Sequence, residues 1–394
     1  MPLLATEVPV ARRMVVLPSA LLLTAVGVLG TRSFGAAADP AQTTGFTAVV
    51  SARHAYVRSE PSDDSPILGT VEAGAQLQVI RCLPQCDAKD AWALLADGGA
   101  IRRALLELSG RESAGIPPSE QQYRYATVLA RGAKAYARPD VRAQVVEELP
   151  SHRVIALAPE QPEAASGWMQ RIAGSYVRAA ELRLARPSAL QGEFLPKLPL
   201  AFVAQRVPPN AAVAELPKYQ RFAILEERPR EIRTAAGRID RRFIRIARRR
   251  SPPSGLPERA KWVQVDLCEQ TLVAYEGQQP VFATVVSTGV RGKRTLTGLH
   301  RVWLKTAHDR MHGRGYDLEE VPYTLYFKHG QALHGAFWHD QFGRAITHGC
   351  VNLSMADARW LFQWAPPPLP AWWHSIVPQS GVQTLWVLVE GVEC

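Results

Sequence analysis

Short apolar runs that alternate with polar residues, each closed by glycine, proline or acidic turn residues, recur from Phe46 almost to the end of this chain and restrict it to sheets. Successive side chains of a strand point to opposite faces, so such a run buries one face and wets the other. The pattern is densest after Lys261. Trp262–Leu267 alternates, Thr271–Tyr275 meets Pro280–Ser287 across Glu-Gly-Gln-Gln as a hairpin would, and Arg301–Lys305, Tyr323–Phe327 and Thr384–Val389 follow. One stretch breaks the series. Ser354, with Asp357 three residues on, opens a run of Met355, Ala358, Leu361 and Phe362 at helical spacing, a capping-box start to a helix ending near Trp364.

Cys350 lies just ahead of that helix start. A thiol attacks as its thiolate, and an ordinary cysteine of pKa about 8.5 is only a few per cent ionised near neutrality, so a base must take its proton. Two histidines, each followed by glycine, are candidates. His348 would point the same way as Cys350 in an extended segment; His334 needs a hairpin or loop joining two strand ends to reach it. Gly349 puts no Cβ over the peptide before the thiol, which leaves the backbone N–H groups of Gly349 and Cys350 open to a substrate carbonyl. The competing readings are a small buried cysteine and a metal site. Eight of the ten histidines fall between His300 and His374, and His308 and His312 stand one helical turn apart. No H-E-x-x-H or C-x-x-C accompanies them, so no metal or cofactor is assigned.

The ordered series His334-Gly335, a spacer, then Thr347-His348-Gly349-Cys350-Val351-Asn352 resembles the signature of the L,D-transpeptidase catalytic domain (YkuD type), a bacterial cell-wall enzyme. The likeness extends through Val321–Phe327 and Ala356–Phe362. It implies a mostly β protein whose residues 260–394 form a mixed β-sandwich with the nucleophile at one end. It further implies Cys350 as the acylated residue, His334 as base, the Gly335 carbonyl orienting that base, and His348 with Gly349 lining the oxyanion site. The Gly-rich, charged stretch from Lys305 to Pro322 looks like a lid. Tyr316 and Tyr323 in or beside it, Trp338 and Arg344 between base and thiol, and Thr347 and Asn352 in the motif are the expected peptide contacts. Thr347 stands where the family more often has serine. The implied substrate is a peptidoglycan tetrapeptide stem, which loses D-Ala and is passed to an amine. Water as acceptor, or a wall-binding protein without activity, are the alternatives.

At 394 residues the chain suits two to four domains. Residues 46–110 and 121–186 look like copies of one another. Ala135–Pro139 answers Ala55–Ser59, and Trp92 and Trp168 each stand nine residues before an apolar-Arg pair, Ile101-Arg102 and Val177-Arg178. Both resemble the bacterial SH3-like barrel, which implies binding to wall polymer or peptide. Residues 198–250 read either as a third such unit or as a Pro- and Arg-rich linker. Barrels this small lean on their neighbours, so packing in series or against the catalytic part is expected.

The formal charge of +10 comes mostly from arginine, since the chain has only eight lysines. A basic surface could meet nucleic acid, anionic lipid or the carboxylate-rich wall, and no nucleic-acid motif supports the first. Residues 1–38 read as an export signal: Arg12-Arg13, apolar Met14–Gly30, then Ala36, Ala37 and Ala38. An uncleaved anchor is the alternative, and this segment is the one membrane contact expected. Export to the periplasm or cell envelope would favour a local disulfide between Cys82 and Cys86. Cys268 and Cys394 are open between a pair and two buried singletons, and Cys350 must stay reduced to act.

Overall fold

The computed structural model describes residues 45–108, 115–129, 131–161, 166–209, 213–313 and 315–392; the export-signal reading and Cys394 lie outside them. Among the described residues the one α-helix is Met355–Trp364, and no helix is long and apolar enough to cross a membrane. The rest is strands, short 3-10 turns and loops.

Lys261–Asp266 is the centre of a six-stranded sheet, antiparallel to Thr271–Glu276 and parallel to Trp386–Glu390. The expected hairpin forms between Thr271–Glu276 and Gln279–Val285. Alternation here separates two cores instead of core from water. Val263, Val265, Leu272 and Ala274 meet Leu325, Leu333, Val351 and Leu353 of a second sheet. Trp262, Val273 and Tyr275, pointing the other way, pack on Leu200, Phe202 and Ala247. Each large apolar side chain buried this way contributes about 1.5–3 kcal/mol, which is what fixes the strand register.

The helix begins as its sequence dictates: Ser354 Oγ accepts the Asp357 N–H at 3.2 Å. The Asp357 carboxylate in turn accepts from the Gly192 N–H (2.8 Å) and Thr284 Oγ1 (2.6 Å), pinning the helix start to the first sheet. Its far end is held by Lys305, whose buried ammonium donates to the carbonyls of Ala365 (2.8 Å) and Pro367 (3.0 Å).

The stretch from Lys305 to Pro322 is not a loop-like lid. Leu304–Gly313 and Tyr316–Lys328 form one long antiparallel hairpin. Its charges pair across the ladder, Arg310 bidentate on Asp317 at 2.7 and 2.9 Å, so polarity that reads as a loop here belongs to an ordered ribbon. His308 and His312 therefore sit on a strand, with a bulge between Asp309 and Met311, and the helical spacing does not apply to them.

Upstream, three β segments each close a core of their own. Val57, Leu77 and Ile101 mark the first, Val128, Ile155 and Val177 the second, and Val203, Ile232 and Ile246 the third. The segment 198–250 is thus strand-built, with Leu200–Val203 paired to Arg221–Ala223 and Ile244–Ala247. Trp92 and Trp168 are buried and face Arg102 and Arg178 across their hairpins, the shared geometry behind the sequence repeat. Cys82 and Cys86 are joined, with Cα atoms 5.0 Å apart, and Cys268 is also disulfide-bonded.

These segments are welded to the hairpin edge to edge. Ile67–Glu72 pairs with Trp373–Ile376, which pairs with Leu304–Gly313. Gly69 is required at that seam, because a Cβ there would lie 2.1 Å from the Ser375 carbonyl oxygen. On the other side Val154–Leu157 joins the hairpin in parallel, Val154 opposite Leu318. Beside this joint the buried Glu319 carboxylate accepts from Arg153 (2.8 Å), Arg171 (2.6 Å) and the Ala156 N–H (3.1 Å). Removing one partner of such a cluster strands the others without water, so Glu319→Ala should cost about 3–5 kcal/mol in chemical denaturation. A loss under about 1 kcal/mol, the worth of an exposed pair, would mean the joint opens before the protein unfolds.

Candidate active site

Gln331–Gly335 carries His334, and Val351–Leu353 begins directly after Cys350. The two strands run parallel, Leu333 opposite Val351 and His334 opposite Asn352, which brings the distant histidine to the thiol's end of the sheet. His334, Cys350, His348, Trp338, Tyr316, Thr347 and Asn352 all line one cleft of about 470 Å³.

The His334 ring is buried, and burial pushes its pKa down to about 4, so it is neutral near neutrality. Nδ1 lies 3.2 Å from the Gly335 carbonyl oxygen. An oxygen of that kind only accepts, so Nδ1 holds the proton and Nε2 keeps a lone pair. Burial moves Cys350 the opposite way: its thiol is pushed above the ordinary range, opposed by the Ala332 backbone. Sγ donates to the Gly330 carbonyl at 3.8 Å, and among the described residues no hydrogen bond joins it to His334. The resting pair is therefore a neutral thiol beside a neutral base.

The turn holding the thiol is strapped by Thr347. Its Oγ1 donates to the Cys350 carbonyl at 2.6 Å and accepts the Gly349 N–H at 3.1 Å. Gly349 has φ +121, and a Cβ there would sit 2.5 Å from Gln331 Nε2. Glycine is thus demanded by backbone conformation and by the Gln331 side chain, as well as by any incoming substrate. Gln331 ties the turn to the neighbouring loop by donating to the Arg294 carbonyl and accepting the Leu296 N–H, both at 2.9 Å.

Tyr316 stands over the mouth, its ring 5.0 Å from that of the exposed His348, whose pKa is lowered by desolvation and by Lys293. Trp338 lies 5.7 Å from the His334 ring. Two expected contacts are elsewhere. Tyr323 is buried in the core with its ring 5.8 Å from Phe362, because its place in the strand points it at the helix. Arg344 is absent from the cleft lining and lines a separate small cavity with Arg245 and Gln270.

Sequence reading missed His339. It lines the cleft, and its pKa is depressed to about 4 by burial. Its Nδ1 accepts the Gln341 N–H (3.2 Å) and its Nε2 lies 2.9 Å from the Asn352 amide. The Asn352 amide nitrogen is the atom that faces Nε2, so this contact ties the motif asparagine to the crossover histidine. Thr127, His152, Val154 and Arg183 also line the cleft, all from the second upstream segment.

With this geometry in place, residues 260–374 match the family model for YkuD, the L,D-transpeptidase catalytic domain. They are a YkuD domain. The L,D-transpeptidase (Yku) from Stackebrandtia nassauensis is 25% identical, with 37% of this chain and 60% of that one covered and a TM-score of 0.27. An L,D-transpeptidase from Mycobacterium tuberculosis H37Rv is 20% identical over 34% of this chain and 58% of its own, with a TM-score of 0.28. The catalytic domain of the Enterococcus faecium L,D-transpeptidase is 22% identical over 34% of this chain and 98% of its own, with a TM-score of 0.27. No curated protein matches the chain. The chain thus spans about three fifths of the first solved relative.

Two outcomes follow for the YkuD domain. Alkylation of Cys350 by iodoacetamide should keep climbing past the ordinary thiol pKa of about 8.5, because burial disfavours the thiolate. A plateau already reached near neutrality would reveal a standing thiolate-imidazolium pair instead. Thr347→Ser should keep turnover within about threefold, while Thr347→Val, which removes the hydroxyl's bond to the Cys350 carbonyl at about 1 kcal/mol, should lower kcat about fivefold.

Proposed function

We propose that the YkuD domain is a cysteine-dependent L,D-transpeptidase acting on peptidoglycan stem peptides. His334 Nε2 takes the proton of Cys350, and Sγ attacks the carbonyl at the L-centre of the third stem residue, meso-diaminopimelate or its lysine equivalent. Backbone N–H groups of Cys350 and Gly349 receive the oxyanion, that of Gly349 by leaving Thr347 Oγ1. Collapse breaks the peptide bond, the imidazolium returns its proton to the departing D-Ala amine, and a thioester remains. An acceptor amine then attacks the thioester, His334 takes one of its protons, and the restored thiol leaves a 3-3 crosslink.

The observation that carries this reading is the His334 tautomer: its Nδ1–H is spent on Gly335, which leaves Nε2 as a base in the cleft that holds Cys350. A positioned base is worth roughly two to four decades in rate and one oxyanion donor about 3 kcal/mol. The upstream β segments fit SH3-like units that hold wall polymer, and the N-terminal segment fits export to the envelope, with membrane contact there alone.

Mass analysis after incubation with purified muropeptides tests the reading. The protein should release D-Ala and form dimers, and Cys350→Ala should do neither while unfolding at the same temperature. Tripeptide without dimer would assign water as the acceptor; full activity of Cys350→Ala would overturn the mechanism. The base must be neutral to work, so kcat/KM should fall as pH drops through about 4, where His334 gains its proton. An acid limb centred near 6.5, the ordinary histidine value, would mean that burial does not depress the base, and a limb unchanged in a His334→Gln variant with residual activity would mean that His334 is not the base.

A further inference from the structure

The second upstream segment supplies a wall of the catalytic cleft, and that wall has a chemical character of its own. Met311, Leu318, Val154, Thr127 and Arg183 are successive cross-strand partners over five strands, and all five line the cleft. They form a track that starts apolar on the hairpin of Leu304–Gly313 and Tyr316–Lys328 and ends on a guanidinium. Neighbouring strands lie about 4.8 Å apart, so Arg183 is roughly 14 Å from Leu318 along the track. That is the length of about four extended residues.

Three observations give the track a ligand. No acidic residue lines the cleft, so nothing in its wall offsets the charge of Arg183 and the field at that end of the track is positive. The Arg183 side chain is exposed and makes no ion pair or hydrogen bond among the described residues, whereas Arg153 and Arg171 of the same segment are buried against carboxylates. His152, which also lines the cleft, has φ +67 in the turn closed by the Arg153 N–H on the Pro150 carbonyl. Left-handed backbone favours glycine, and a histidine held there costs on the order of 1 kcal/mol. Strain at a cleft-lining side chain that makes no structural bond points to binding.

We infer that Arg183, with His152 beside it, is a substrate-positioning subsite that receives a carboxylate of the peptide, remote from the scissile carbonyl. The inference rests on the peptide reading above and extends it: specificity is divided between the YkuD domain, which does the chemistry, and a separate β segment, which reads the charge of the substrate. The guanidinium meets a carboxylate through paired N–H donors, a geometry that a carboxamide does not match.

The test uses the full chain carrying Cys350→Ala, so that binding is read without turnover. Tryptophan fluorescence would follow two synthetic tetrapeptide stems, one with free carboxylates and one with carboxamides in their place. The free acid should bind about tenfold tighter, and adding Arg183→Gln should erase that ratio by weakening the acid while leaving the amide unchanged. Adding His152→Gly instead should weaken the acid severalfold and hold or raise the melting temperature, since glycine relieves the turn; a merely structural histidine would leave both affinities alone. If the tenfold ratio survives Arg183→Gln, or both peptides bind equally from the start, the subsite is wrong and the peptide reading stands. If neither peptide binds, the peptide reading itself fails.

Discussion

Three residues of parallel pairing, Leu333, His334 and Gly335 against Val351, Asn352 and Leu353, hold the whole arrangement together. Parallel neighbours cannot be joined by a tight turn; the chain must cross over, which takes a dozen residues or more. The stretch from Ala336 to Cys350 is that crossover, and this is the physical meaning of the spacer in the sequence motif. The crossover is no idle connection. It carries Trp338, His339 and Thr347 back over the strand ends, so the length needed to bring Cys350 beside His334 also furnishes the walls around them.

A second constraint acts from outside the YkuD domain. The hairpin of Leu304–Gly313 and Tyr316–Lys328 overhangs the cleft and would have free edges by itself, which is a liability in any sheet. Trp373–Ile376, itself paired to the first upstream segment, covers one side, and Val154 of the second segment pairs on the other. The Glu319 cluster fixes where the second segment docks. Buried charge contributes little net stability, yet it penalises every misregistered docking in which one partner loses its mate. The same docking is what brings the strand of Arg183 and the turn of His152 to the cleft.

How much of this was legible in the sequence depends on the range of the contact. The Ser354 cap, the Thr271–Tyr275 hairpin and the motif residues of the cleft are local or nearly so, and local pattern found them. Tyr323 and Arg344 failed because nearness in sequence does not say which face a side chain takes. His339 was passed over beside Trp338 for the same reason, although a histidine inside the crossover was a usable signal. Arg153, Arg171 and Glu319 look like surface charges in isolation, and only the docking of two distant segments buries them. The contribution of Thr127 and Arg183 is a relation between parts of the chain more than a hundred residues apart, on which no single stretch bears.

The neutral resting pair has a chemical logic. Burial lowers proton affinity at His334 and raises it at Cys350, so transferring the proton before substrate arrives is uphill. In the proposed mechanism the negative charge need not rest on sulfur. As Sγ bonds to the substrate carbonyl the charge passes to its oxygen, where backbone N–H groups replace water, and the imidazolium is discharged when the leaving amine takes its proton. Charge separation is thus completed only with a peptide in place. Thiolate is also the form that oxidants and stray electrophiles attack, so a cysteine kept as thiol until it is used is protected in an oxidising compartment of the kind proposed for this protein. The same burial that makes Cys350 a poor free nucleophile makes it a durable one.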